Sequence, residues 1–229
     1  MNEHVIRVWD LPTRVAHWAG VALFAAAIVS VKIGGNAMVW HGRVGLALLG
    51  LVVFRIVWGL VGSTYARFAA FVPRPRALAD YLAGRWRGAG HNPLGALSVL
   101  ALLAFVAFQS SAGLFANDDI AFYGPLAELV SDELGALASG LHRQAEWILY
   151  ALVGLHVAAV MFHVHVKKDN LIVPMITGTK RVSDPAIESA RGGGVTAFVV
   201  ALALAIAAVW VAAGGILPPA EPPPPVPSW

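Results

Sequence analysis

Residues 141–168 read LHRQAEWILYALVGLHVAAVMFHVHVKK, and this stretch decides the fold. Between Arg143 and Lys167 lie 23 residues whose only formal charge is Glu146. A helix of that length, at about 1.5 Å per residue, crosses a hydrocarbon core of roughly 30 Å. The stretch therefore predicts a membrane-spanning helix. His142 and His156 are 14 residues apart within it, which at about 100° per residue falls some 40° short of four turns and puts both imidazoles on one face, about 21 Å apart along the axis. Ionisable side chains are costly in lipid, so a same-face pair at two depths reads as a functional site.

The 229 residues are 58% hydrophobic and 13% charged, with a mean hydropathy of +0.70, too apolar for a soluble domain. Five apolar segments stand out at roughly 15–33, 40–62, 94–115, 142–166 and 195–217. Each has the length of a membrane helix, and none alternates as a barrel strand does. The first lacks the small-residue cleavage site and following soluble domain of a signal peptide, and reads as a retained helix. Twelve of the sixteen Lys and Arg fall in three regions: Arg7 and Arg14 before the first helix, the loop after the second, and the loop after the fourth. The loop between helices three and four instead carries Asp118, Asp119, Glu128, Asp132 and Glu133, with no basic residue before Arg143. The positive-inside rule then predicts a cytoplasmic N-terminus and, with five spans, a periplasmic C-terminus. The net charge of +3 is a topology signal and does not call for nucleic acid. The absence of cysteine excludes CxxCH haem attachment, thiolate iron–sulfur clusters and disulfides, leaving histidine or methionine to hold a redox centre.

Histidines on the other helices match those on the fourth in depth. His17 lies about a turn inside the N-terminal end of helix one, and His41 opens helix two on the opposite side, because the two helices run antiparallel. The set divides into an outer pair, His41 with His142, and an inner pair, His17 with His156. Gly20 and Gly45 lie near His17 and His41, small enough for a flat cofactor or another helix to approach. Two neutral imidazoles on one haem iron leave no position open for substrate and favour electron transfer. His163, seven residues past His156, competes for the inner site, although pairing it with His142 stretches the two sites to about 31 Å. His163 and His165 otherwise read as interfacial residues, near a quinone or a propionate or simply at a polar helix end. His91 reads as a loop residue, and His4 receives no role. A histidine-dependent metal-ion transporter is the rival from another class, but it calls for carboxylates converging near the midplane, where the helices offer only Glu146.

Four basic residues remain. Arg55, 14 residues past His41 on the same face, either pairs with an inner haem propionate or snorkels to the interface. Lys32, Arg43 and Arg143 lie at the outer level, as candidates to neutralise the outer propionates or as ordinary interfacial side chains. The basic, aromatic loop 63–93 predicts a short amphipathic helix around Arg76–Arg85 at the membrane surface. A short interfacial helix is also expected near Pro125–Leu137. The acidic outer loop is charged to steer a basic c-type cytochrome. Helix five, without a charged or histidine side chain, reads as a lipid-facing accessory helix. The tail LPPAEPPPPVPSW predicts extended polyproline II, as a spacer or a disordered end.

VWDLPTRVAHW leading into helix one, HGRVG and RIVWGLVGS bounding helix two, GHNPLGAL opening helix three, and LHRQAEWILYALVGLH followed by NLIVPMITGTK together resemble the bacterial cytochrome b561 / nickel-hydrogenase b-type cytochrome family over about residues 5–180. The resemblance implies two non-covalent b haems, with His17 and His156 as axial ligands of one and His41 and His142 of the other. It also implies electron exchange between the quinone pool and a c-type cytochrome, dehydrogenase or hydrogenase, in the bacterial inner membrane; some members resemble stand-alone quinone-linked superoxide oxidases. The expectation is an all-α integral membrane protein. A four-helix transmembrane bundle for two b haems occupies residues 1–180, with a cytoplasmic connector at 181–194, a fifth transmembrane helix at 195–217 and a proline-rich periplasmic tail at 218–229. Helix five and the tail depart from the four-helix family pattern.

Overall fold

The computed structural model describes residues 3–117 and 122–218. In chain order it comprises β1 (His4–Arg7), α1 (Leu11–Ile33), α2 (Ala37–Val61), α3 (Phe68–Phe71), α4 (Pro75–Leu82), α5 (Pro93–Phe115), α6 (Asp132–His165), α7 (Ile172–Thr177), β2 (Thr179–Val182) and α8 (Gly194–Ala212). Helices α1, α2, α5, α6 and α8 are each long and apolar enough to cross a membrane, at the five places where the sequence predicts spans. Asp118, Asp119 and residues 219–229 of the proline tail lie outside the described residues.

Local chemistry sets the helix ends. Asp10 caps α1, its Oδ1 accepting from the Thr13 N–H at 2.7 Å, with Pro12 in the first turn where a missing N–H costs nothing. Gly34 and Gly35, at φ of 67° and 51°, take the left-handed turn that reverses α1 into α2. Asn92 caps α5, accepting from the Gly95 N–H at 2.8 Å, again with proline in the first turn. The expected surface helix is α4, stopped at Leu82 ahead of Gly84 in the left-handed region.

Helix α6 corrects two expectations. It starts at Asp132 and not at 142, and there is no separate interfacial helix over Pro125–Leu137, only a single 3-10 turn at Ala127–Leu129. The cause is a strong start signal: the Ser131 hydroxyl accepts from the Leu134 N–H, and Asp132 and Glu133 lie in the first turn, where acidic groups complement the helix dipole. With no proline to stop it, the helix runs 34 residues, about 50 Å, and projects beyond a bilayer core.

The chain is also not wholly α. β1 and β2 pair antiparallel, from His4 opposite Val182 to Arg7 opposite Thr179, and join the lead-in to the segment after α6. Ile6, Val8 and Trp9 are buried under this ribbon together with Ala89. Strands of four residues are too short for alternation to announce them. β2 also crosses the 180/181 boundary between the expected bundle and connector.

Helix α1 packs on α2, α2 on α5 and α8, and α5 on α6. Helix α6 packs chiefly on α5 and approaches α1 and α2 much less closely. Helix α8 lies against α2 through Ala201 and Ala205, which join Phe54 and Trp58 in one buried cluster, while most of its larger side chains are exposed. Small residues letting helices approach closely are the usual glue of membrane packing.

Candidate haem-binding site

The gap between α6 and the α1–α2 pair is where the histidines meet. His41 and His142 face each other with ring centroids 6.0 Å apart, and His17 and His156 with centroids 6.5 Å apart. These are the two pairs expected from depth alone. At the first, the Nδ1–H of His41 donates to the Ala27 carbonyl at 3.0 Å and the Nδ1–H of His142 to the Gln109 carbonyl at 2.9 Å. Since a carbonyl only accepts, both rings hold their proton on Nδ1 and leave the Nε2 lone pair free, the tautomer a metal-binding histidine needs. Gly113 lets the His142 ring lie flat against α5: a Cβ there would sit 3.1 Å from Cε1. At the second pair, His17 Nδ1 is buried without a partner and His156 Nδ1 lies 3.5 Å from Ser98 Oγ.

His163 is directed elsewhere. Its Nε2 lies 3.1 Å from the Tyr81 hydroxyl on α4 and 3.4 Å from the Asn92 amide. Burial, aided by the Asp169 carboxylate, pushes the Tyr81 phenol up, so it stays protonated as a donor. His91, read as a plain loop residue, is packed between the Trp9 and Phe71 rings at 4.6 and 4.5 Å. Burial first, then the positive potential of Arg55 and the neighbouring His156 and His17, pushes it down to about 3. It is therefore neutral at ordinary pH.

The basic residues separate. Arg55 lies with its guanidinium 5.2 and 5.8 Å from the Phe68 and Phe71 ring centres, and its Nη1 is buried without a partner. Arg143 lines a cavity of about 250 Å³ with His41, His142 and Gly45. Lys32 instead approaches Glu146 at 3.7 Å, and Arg43 lies over the Trp40 ring at 4.9 Å. Glu146 also accepts the Tyr150 hydroxyl at 2.6 Å, and both line the same cavity. This pair carried a signal in the sequence: Glu146 and Tyr150 follow His142 at steps of four, on its own helix face.

Two metal–imidazole bonds of about 2 Å each, plus the ring radii, put facing imidazole centroids roughly 6–6.5 Å apart. Both pairs meet that spacing, and the gap beside α6, bordered by Gly45 with nothing within 4 Å of a Cβ, admits a flat group. The residues present therefore fit haem. Among the described residues no three His, Cys, Asp or Glu side chains converge as a metal-ion site.

The model of the prokaryotic cytochrome b561 family matches residues 8–178, well over half of the chain. The chain belongs to the prokaryotic cytochrome b561 family. No curated protein and no solved structure matches it. As a cytochrome b561 it is a multi-pass membrane protein of electron transport that binds b-type haem. The match ends ahead of α8, so the fifth helix is an addition to the family core.

Proposed function

We propose that this cytochrome b561 carries two b haems, one held by His41 and His142 and the other by His17 and His156, and passes electrons across the membrane between quinone and a redox partner. The observation that carries this reading is the pair of ring separations, 6.0 and 6.5 Å, at two depths of the gap beside α6. Haem, when bound, supplies a one-electron couple at each level. The chain's own residues do the rest. The Ala27 and Gln109 carbonyls orient the outer imidazoles, and α5 and α6 shield the gap. Arg143 at the outer site and Arg55 at the inner one supply positive charge for carboxylates of the cofactor. A histidine pair holding each iron would favour electron transfer over chemistry at the metal. The basic loops favour a cytoplasmic inner pair and a periplasmic outer pair in the inner membrane.

The visible spectrum and haem content of the purified chain test this. Two low-spin b haems per chain on reduction are expected. One haem per chain would remove one pair from the assignment, and stoichiometric zinc without haem would replace electron transfer with metal transport.

A further inference from the structure

A cavity of about 660 Å³ that none of the paired histidines lines lies at the basic end of the molecule, between the starts of α1 and α8 and the end of α2. That volume is within the ~300–1,000 Å³ range of small-molecule sites. Its lining is divided. Leu11, Trp58, Val195 and Phe198 form an apolar wall at the membrane ends of three spanning helices. Arg7, Arg14, Thr177 and Thr179 form the polar part.

The charges are arranged for an anion. Lys180 and Arg191, on the same face, are paired with Asp169 at 2.8 Å and Glu188 at 3.3 Å. Among the described residues, Arg7 and Arg14 have no such carboxylate partner. Arg14 donates through Nη1 to the Ile176 carbonyl, while its Nε is buried with no partner. The one carboxylate in the lining, Asp10, is already engaged: Oδ1 accepts from the Thr13 N–H and Oδ2 from the Trp58 indole N–H at 3.0 Å. Helix α8 adds a third positive element. Its first residues, Gly194 and Val195, line the cavity, and its cap position is Gly193, with no side chain to satisfy the leading N–H groups.

We propose that this cavity binds the phosphate of an anionic phospholipid, its headgroup between Arg7, Arg14 and the start of α8 and its acyl chains along Leu11, Val195 and Phe198. Two guanidiniums without a carboxylate partner and a helix N-terminus recognise a phosphate, and the apolar wall at the interface selects one that carries chains. The lipid bridges α8 to the family core through a headgroup that both contact.

The test is native mass spectrometry of the full-length holoprotein in detergent, titrated with phosphatidylglycerol and, separately, phosphatidylcholine. Phosphatidylglycerol should be retained preferentially. Arg7→Gln should weaken retention about five-fold, the effect of one basic residue at an anionic surface, and Arg14→Gln similarly, with haem content unchanged. Arg7 is exposed on its strand, so its substitution keeps the test open if Arg14→Gln does not fold. Equal retention of the two lipids, or no change in Arg7→Gln, overturns the site. Competition by millimolar inorganic phosphate alone would reassign it to a soluble anion, and competition by a short-chain ubiquinone would reassign it to a quinone; either overturns the proposal.

Discussion

Replacing Gly45 by leucine separates the fold from the cofactor. A Cβ at Gly45 has nothing within 4 Å, and the residue lies in the middle of α2, one turn from His41. Leucine is favoured over glycine in a helix interior by roughly 0.5–1 kcal/mol, so the helix itself gains. The isobutyl group, however, enters the 250 Å³ space lined by His41 and His142. If that space receives a haem, the variant should keep its helix content by circular dichroism and its expression level, yet fall from two haems to one per chain by pyridine haemochrome assay, with one of two transitions lost in a redox titration. Gly113→Ala makes a graded companion. Its Cβ would meet His142 Cε1 at 3.1 Å and Nδ1 at 3.3 Å, so the ring must give by a few tenths of an ångström against its bond to the Gln109 carbonyl. A shifted potential with the haem retained is expected there. Two haems with both midpoints unchanged in Gly45→Leu would refute the reasoning, because the open face of α2 would then not be haem space.

His156→Ala should lose one haem while His163→Ala keeps both, since only His156 faces His17; the reverse outcome, read by haem stoichiometry, would move the inner site towards the membrane surface. Asp10→Ala removes the α1 cap, worth about 1 kcal/mol, and strands the Trp58 indole N–H, worth about 1–3 kcal/mol more. A loss of roughly 2–4 kcal/mol by denaturant unfolding in detergent is expected, with Asp10→Asn recovering much of it. His91 gives a pH dependence whose sign is set by its depressed value. Above its ordinary value of about 6.5 it is neutral in both folded and unfolded chains and contributes no slope. Below that the unfolded chain takes up the proton while the folded one, at about 3, does not, so stability falls as pH falls, by at most about 1.4 kcal/mol per pH unit. His91→Phe should flatten the stability profile between pH 6.5 and 4.5; an unchanged slope would assign the acid sensitivity to other groups.

What was legible in the chain followed from length and period. A 23-residue run whose only formal charge is Glu146 announces a span whatever it packs on, because lipid imposes the requirement uniformly. The 14-residue step from His142 to His156 sets a shared face by helix geometry alone, and the antiparallel order of α1 and α2 fixes which end each remaining histidine reaches. What was not legible depended on contacts between segments distant in sequence. The β1–β2 ribbon joins residues some 170 positions apart in strands too short to carry a pattern. His91 does lie in the loop before α5, but nothing in GHNPLG indicates the Trp9 and Phe71 rings that enclose it. The outer cations had the right depth, yet depth does not set direction: Arg43 turned to Trp40 and Lys32 to Glu146, while Arg143 faces the cavity.

The standing-off of α6 from α1 and α2 links these observations physically. A membrane bundle has no hydrophobic drive to close a gap, since lipid tails solvate apolar side chains as well as leucine does. Closure must come from small residues, interhelical hydrogen bonds or a third body. Helices α2 and α8 have the first, through Ala201 and Ala205, and pack tightly. Helices α5 and α6 have the second, through the Gln109 amide to the His142 carbonyl at 2.9 Å, the His142 ring to the Gln109 carbonyl, and Ser139 to the Asn117 carbonyl at 3.0 Å. Between α6 and the α1–α2 pair the described contacts are sparser: the Lys32–Glu146 ion pair at 3.7 Å, the Phe24 and Tyr150 rings edge to face at 6.4 Å, and facing imidazoles with two of their Nδ1 protons already committed to carbonyls. Under the proposed ligation, the cofactor is the third body that holds α6 to the rest of the bundle, so each lost haem should cost stability as well as a redox centre.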